Sequence, residues 1–377
     1  MPKVVLSVTT DLFSDQRVDK VCNSLKSMGF DVLLVGRCYN NSPQMPKRGY
    51  KTKRIHLVFR KGPLFYAEFN IRLFFYLLFQ KRDIFVANDL DTLLPNVLVT
   101  RMKRKKLVYD AHEYFLGILE IQHRPKVKRV WQKIEQFCFP KLKKIITVSQ
   151  SIAEQYKLEY GKEVKVVRNI PVLQKSEPVD ISQERSALGL PLDKKIIILQ
   201  GNAIHKDRGG EEIVEAIPFI DDAILIIVGK GDMLPNLKTR VNELQIADKV
   251  KFMGSVSPEQ LRIFTAISDL GVTFDKNVSP NHYFSLPNKL FEYIHAGIPV
   301  VCSNLPERKR IVEEYQVGIV LDDLSPESVS GTINKIFADS EKLLQYKNNC
   351  RLAMVELNWQ KEEEVLKEIY EEYLITK

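Results

Sequence analysis

Between Asn281 and Val301 the chain reads Asn-His-Tyr-Phe-Ser-Leu-Pro-Asn-Lys-Leu-Phe-Glu-Tyr-Ile-His-Ala-Gly-Ile-Pro-Val-Val, a loop, a short helix and a buried strand in succession. Ser285 is expected to cap that helix, with Pro287 in its first turn, where a missing N–H costs nothing. Gly297 is placed to end it, and Pro299 bars its continuation. The open N-terminus, around Ser285, Leu286, Asn288 and Lys289, presents unpaired backbone amides and the positive end of a helix dipole, which suits a phosphate. Glu292 follows Asn288 by four residues and Lys289 by three, so it shares their face about a turn deeper. A carboxylate there can accept hydrogen bonds from ribose hydroxyls. An ordinary capped helix carries the same local signals, so the rest of the chain must decide.

Other residues able to do chemistry also follow apolar runs. Tyr109-Asp-Ala-His-Glu113 offers His112, whose ordinary pKa lies near neutrality, as a donor to a sugar hydroxyl or a developing anion. Gly201-Asn-Ala-Ile-His-Lys-Asp-Arg-Gly-Gly210 is a glycine-rich turn with three possible cations, in which Arg208 suits a pyrophosphate; a flexible turn with solvated charges is the alternative. Gly229, in Val228-Gly-Lys-Gly-Asp232, allows a close backbone approach to a base or ribose, or simply turns the chain. Asp89 and Asp91 form an Asp-x-Asp pair able to hold a divalent metal, but the signal is short and a loop with a helix cap is the preferred reading. No metal site is assigned. Asp15 is read as a helix cap and Arg17 as a solvated first-turn residue. The first strand is followed by no G-x-G-x-x-G, which disfavours a nicotinamide or flavin enzyme.

Positioning these residues requires strands that alternate with helices. Apolar runs at Val4–Val8, Asp31–Val35, Ile84–Ala87, Lys106–Asp110 and Lys144–Val148 define one parallel sheet. Runs at Lys195–Gln200, Ala223–Val228, Lys249–Met253, Leu270–Phe274, Ile298–Cys302 and Gly318–Leu321 define a second. The fold class is therefore α/β, with two Rossmann-like, doubly wound parallel-sheet domains facing a cleft. The expected limits are 1–172, a polar linker at 173–193 bounded by Pro171 and Pro191 and containing Pro178, a second domain at 194–355, and an amphipathic tail helix at 356–377.

The 377 residues suffice for two such domains, and 45% hydrophobic content is ordinary for a globular protein. No run approaches the roughly 18 apolar residues of a membrane span, and the N-terminus reads as a strand and not as a signal peptide, so export is not expected. Five scattered cysteines without a Cys-x-x-Cys pair suggest reduced thiols in a cytosol. The formal charge of +9 fits nucleic acid, an anionic membrane surface or anionic small substrates. Nucleic acid is the weakest of these, because the basic residues do not interleave with aromatics on a recognisable module. The aromatic segment Leu64–Arg82, flanked by Arg60-Lys61 and Lys81-Arg82, reads equally as a core helix and as a helix lying on an anionic membrane.

Taken together, Gln16-Arg-Val-Asp-Lys, Tyr109-Asp-Ala-His-Glu113, Arg208-Gly209 and, most specifically, Ser285–Val301 resemble glycosyltransferase family 4, the retaining sugar-nucleotide enzymes of the GT-B fold. The resemblance spans nearly the whole chain. It implies that the amides of Ser285–Lys289 hold the donor diphosphate, that Glu292 binds the ribose, that Arg208 neutralises the leaving phosphate, and that His112 faces the transferred sugar. His112 and Arg208 are then the expected catalytic residues. It also implies a tail helix that returns to the first domain. The family's frequent Glu-x7-Glu is reduced to Glu292, because Phe284 stands at the first position, with Asn281 or His282 as substitutes for the polar contact. Asn202 replaces a frequent arginine, which shifts the diphosphate toward Arg208, Lys206 and Lys289. The implied activity is transfer from a nucleoside diphosphate sugar to a lipid-linked or polysaccharide acceptor in cell-surface glycan synthesis. It needs neither cofactor nor metal, and its expected place is the cytoplasm or the inner membrane face. A non-catalytic sugar-nucleotide-binding subunit and a GT-B-like epimerase are the alternatives.

Overall fold

The computed structural model describes residues 1–13, 15–39, 42–174 and 179–375. They form two compact units, one built from Met1–Asn169 together with the chain from Glu362 onward, the other from Ile170–Lys361.

The first unit is a seven-stranded parallel sheet. Its strands are β1 (Lys3–Asp11), β2 (Asp31–Cys38), β3 (Lys51–His56), β4 (Ile84–Asn88), β5 (Lys106–Ala111), β6 (Lys144–Thr147) and β7 (Lys165–Val166). Their order, β3-β2-β1-β4-β5-β6-β7, reverses direction between β1 and β4. Ligands in such sheets bind at that reversal, beyond the strands' carboxyl ends. The helix Gln16–Ser27 shows how the local sequence builds this layer. Asp15 caps it by accepting from the Val18 amide, and Val18, Val21, Cys22 and Leu25 form its buried stripe. Gly29, at φ +95°, closes its C-terminus in a conformation that favours glycine.

The second unit is a six-stranded parallel sheet of order β10-β9-β8-β11-β12-β13. Its strands are β8 (Lys195–Gly201), β9 (Ala223–Gly229), β10 (Val250–Gly254), β11 (Leu270–Thr273), β12 (Val300–Ser303) and β13 (Gly318–Leu321). Alternation along β8 and β9 explains why these strands read as unbroken apolar runs. Ile197, Leu199, Leu225 and Ile227 join one buried cluster, and Ile196, Ile198, Ile224 and Ile226 join another.

Two expectations change here. Strands β3 and β7 carry no apolar run and were not foreseen. The stretch 173–193 is more than a linker, because it contains the helix Ile181–Ala187 and lies within the second unit. Arg185 of that helix is buried, with Nη2 2.8 Å from Asp269 Oδ2 and donating to the Ile267 carbonyl. Pro178 lies outside the described residues. Among the described residues, no helix is long and apolar enough to cross a membrane.

Candidate functional site

In the second unit the helix of interest runs Asn288–His295. Its N-cap is Pro287, in an extended conformation, and no side chain satisfies the first amides. Ser285 does not cap it, contrary to expectation. It ends the preceding helix, Pro280–Phe284, and its hydroxyl donates to the His282 carbonyl at 2.8 Å. With no capping side chain, the first-turn amides of Asn288 and Lys289 are left for another acceptor. Tyr293 seats the helix on the sheet: its hydroxyl bonds the carbonyls of Ile198 at 3.3 Å and Val272 at 3.2 Å. Its ring lies over Gly271, where an added Cβ would fall 2.4 Å from the ring atoms.

A cavity of about 280 Å³ opens at the carboxyl ends of β8, β9 and β11, where the strand order reverses. Asn202, Arg208, Gly229, Asn288, Lys289 and Glu292 all border it. Lys206 is exposed, Ser285 Oγ accepts from Arg308 Nη2 at 3.4 Å, and Leu286 packs against the core. Those three do not border the cavity. Gly229 is explained by chain packing, since at φ +131° an added Cβ would meet the Gly201 carbonyl oxygen at 1.9 Å.

Asp275, buried just beyond β11, organises the charge. Its carboxylate accepts from Arg308 Nη2 at 2.8 Å and Arg208 Nη1 at 3.0 Å. Burial opposes its ionisation, but Arg308, Lys289 and Arg208 outweigh burial and hold the carboxyl well below the usual range. Burial pushes the pKa of the Lys289 ammonium down, Asp275 pulls it back up, and an arriving anion would add to the pull of Asp275. Three cations meet the carboxylates of Asp275 and Glu292, and that positive excess suits a diphosphate. Glu292 accepts a short hydrogen bond from Gln200 Nε2. Phe284 packs its ring against Tyr283, and His282 is buried with Nδ1 2.9 Å from Ser279 Oγ. Burial, then Arg208, keep the His282 imidazole from protonating readily.

In the first unit, His112 is fixed by Asp89, whose Oδ1 accepts its backbone N–H at 2.8 Å and whose Oδ2 lies 3.5 Å from Nδ1. Nε2 lies 3.2 Å from Asn88 Oδ1 and 3.5 Å from Asp110 Oδ2. Burial opposes the imidazolium, but Asp89 and Asp110 outweigh it and raise the pKa to about 9. His112 is therefore a charged donor at neutral pH, and not the near-neutral titrating group expected. Arg17 is not solvated: it is 4% exposed and pairs with Asp110 at 2.8 Å while donating to the Val167 carbonyl. The Asp-x-Asp pair diverges. Asp89 serves His112, whereas Asp91 accepts from Thr9 Oγ1, and burial followed by the charge of Asp89 raises its pKa to about 8. Among the described residues, no three His, Cys, Asp or Glu side chains are grouped to hold a metal ion.

The family model described as "Glycosyl transferases group 1" matches residues 180–353, and "Glycosyltransferase Family 4" matches 15–170. The chain belongs to the group 1 glycosyltransferases. An uncharacterized glycosyltransferase of Methanocaldococcus jannaschii is 27% identical over 206 residues, which cover 52% of this chain and 51% of that protein. The match thus spans about half of that relative. Sucrose-phosphate synthase from Thermosynechococcus elongatus superposes over the full length of both chains with a TM-score of 0.81 at 18% identity. HepE of Anabaena, solved with UDP-glucose, gives a TM-score of 0.75 at 17% identity and covers 99% of each chain. The two structures share the GT-B fold with this glycosyltransferase.

Three residues of the second site were missed: Gln200, Asp275 and Arg308. Gln200 and Asp275 stand at or just past strand ends, the same signal that picked out His112 in this glycosyltransferase. Arg308 sits in Glu307-Arg-Lys-Arg310, where nothing local separates a fully buried arginine from the exposed Lys309 beside it.

Proposed function

We propose that this glycosyltransferase moves a sugar from a nucleoside diphosphate sugar, with retention of configuration, to a lipid-linked or polysaccharide acceptor. The observation that carries the donor half is the convergence of Arg208, Lys289, the uncapped amides of Asn288 and Lys289, and Glu292 on one cavity at the sheet's reversal point. As the glycosidic bond breaks, negative charge grows on the leaving diphosphate. Arg208 is already held by Asp275, so it stabilises that charge with little reorganisation. These cations and amides fill the role that a divalent ion fills elsewhere, which supports metal-independent transfer. Glu292 takes the ribose hydroxyls, and His112, whose ring nitrogens face Asp89, Asn88 and Asp110, offers the sugar being moved the positive charge of its imidazolium. In the proposed same-face attack the acceptor hydroxyl gives its proton to the departing phosphate.

A lipid-linked acceptor is supported by the helix Gly62–Leu78 of the first unit. Phe65, Phe69, Leu73 and Leu77 form its buried stripe, while Leu64, Ile71 and Phe75 stay exposed. The neighbouring Arg60, Lys61 and Lys81 are exposed as well. This combination suits peripheral contact with an anionic membrane, on its inner face if the chain is cytoplasmic.

The test is a thermal-shift screen of UDP-, GDP-, ADP- and dTDP-sugars, followed by transfer of the stabilising sugar to lipid acceptors in anionic vesicles, with and without EDTA. The expected result is stabilisation by one donor class and EDTA-resistant transfer with retained anomeric configuration. Binding without turnover would turn the reading toward a non-catalytic subunit, and product formed without acceptor toward an epimerase. No stabilisation by any donor overturns it.

A further inference from the structure

Glu292 does not stand alone on its helix. Gln200, near the end of β8, is 1% exposed, yet its amide reaches the cavity wall and donates through Nε2 to Glu292 Oε2. On its other side Gln200 Oε1 faces Thr265 Oγ1 at 2.8 Å. Thr265 is 2% exposed on the helix Pro258–Ala266, and its hydroxyl also lies 2.7 Å from the Leu261 carbonyl. A primary amide can turn over and exchange its donor and acceptor ends. Here one end meets a carboxylate, which only accepts, and the other a hydroxyl whose proton is shared with Leu261. The carboxylate selects the NH₂ end, and Thr265 supports the carbonyl end. The result is a rigid relay that runs from a helix, through a strand end, to the one acidic side chain set for ribose.

We propose that Gln200 and Thr265 are positioning residues that set the donor site's selectivity for ribose over 2′-deoxyribose. They do so by fixing the direction in which Glu292 presents its carboxylate. The inference rests on the donor-site reading above and adds its specificity. A carboxylate free to rotate still attracts a hydroxyl, but it pays side-chain entropy on each binding event and discriminates poorly between one hydroxyl and two. A carboxylate held in one orientation loses a charge-assisted hydrogen bond whenever the 2′-hydroxyl is missing, a difference of about tenfold or more in affinity.

The experiment measures, by calorimetry, the affinity of the full chain for UDP against 2′-deoxy-UDP and for GDP against 2′-deoxy-GDP. It compares wild type with Gln200→Leu and Thr265→Val, both close in volume to the residues they replace. The expected wild-type preference for the ribonucleotide is about tenfold or more. Gln200→Leu should weaken ribonucleotide binding by about that factor and leave the deoxyribonucleotide nearly unchanged, so that the ratio collapses toward one. Thr265→Val, which keeps the amide but loosens it, should lower the ratio by about two- to fivefold. A purely structural role for Gln200, tying the helix Pro258–Ala266 to the sheet, would weaken both nucleotides equally and leave the ratio intact. That result, in either variant, overturns the inference alone. Failure of the wild type to bind any of the four diphosphates overturns the donor-site reading and this inference with it.

Discussion

Arg208 and His112 are both cations braced by acidic side chains behind them, Arg208 in its position and His112 in its charge as well. Arg208 leans on Asp275, which also holds the fully buried Arg308. Replacing Arg208 with alanine should lower kcat/KM by about 10²–10³, the cost of removing one preorganised charge from a transition state. Initial rates at saturating acceptor test this, and unchanged turnover would move the leaving-group role elsewhere. His112 leans on Asp89 and Asp110, and its pKa of about 9 lies above the ordinary 6.5. A raised histidine pKa stabilises the folded first unit fully below pH 6.5, and that contribution is lost as pH climbs through about 9. Asp89→Asn should bring the His112 titration down by about one unit or more. Imidazole NMR reads the shift, and the alkaline limb of the transfer rate should move with it if the imidazolium is the working form. An unmoved titration would show that Asp110 alone sets the charge.

At the scale of elements, the donor helix was legible because its signals are local: Pro287 before it, Gly297 after it, and an apolar face in between. What failed was the assignment of Ser285. A serine two residues before a proline looks like a cap, but the chain turns into another short helix first, and Ser285 closes that one. Ser279, which caps the short helix, occupies the role that Ser285 was expected to fill for the longer one. Strand β3, Lys51–His56, was invisible for a related reason. As an edge strand it buries only Ile55, so it lacks the apolar run that betrays a central strand. The pairing Arg17–Asp110 and the relay Thr265–Gln200–Glu292 join residues 93, 65 and 92 positions apart, and no local periodicity encodes such partners. The seat of the donor helix makes a prediction at this scale. Gly271→Ala places a methyl group in the Tyr293 ring, which must shift the helix or the strand. Overpacking of this kind costs about 1–3 kcal/mol. Urea unfolding should show that loss, and nucleotide affinity should fall with it because the cavity's cations and amides ride on the displaced helix. Full stability in the alanine variant would mean that the ring moves without moving the helix.

At the scale of the whole molecule, the tail decides where the first unit's fold is completed. The helix Trp359–Tyr370 begins against the second unit, where the Trp359 amide donates to the Pro171 carbonyl. From Glu362 onward the chain belongs to the first unit. Glu362 is 3% exposed and accepts from the Arg168 amide at 2.6 Å, from Nε at 2.8 Å, and pairs with Nη2 at 2.7 Å. Leu366 and Tyr370 are fully buried beyond it, and the Tyr370 ring meets Phe30 edge-on at 6.0 Å. A segment nearly 200 residues from Arg168 in sequence thus fills a gap in the first unit's core. Glu362→Ala should therefore destabilise the first unit selectively. Arg168 keeps some access to water, so the loss is about 2–3 kcal/mol, below the cost of breaking a fully buried pair. Hydrogen exchange resolves the two units: amides of β1, β4 and β5 should lose protection, while those of β8, β9 and β11 should keep theirs. Nucleotide diphosphate affinity, which depends on the second unit's cavity, should stay within about twofold of wild type, a change worth less than a single neutral hydrogen bond. Equal loss of protection in both units would show that the tail supports the molecule as one cooperative body, and would remove the ground for treating donor binding as the property of a single unit.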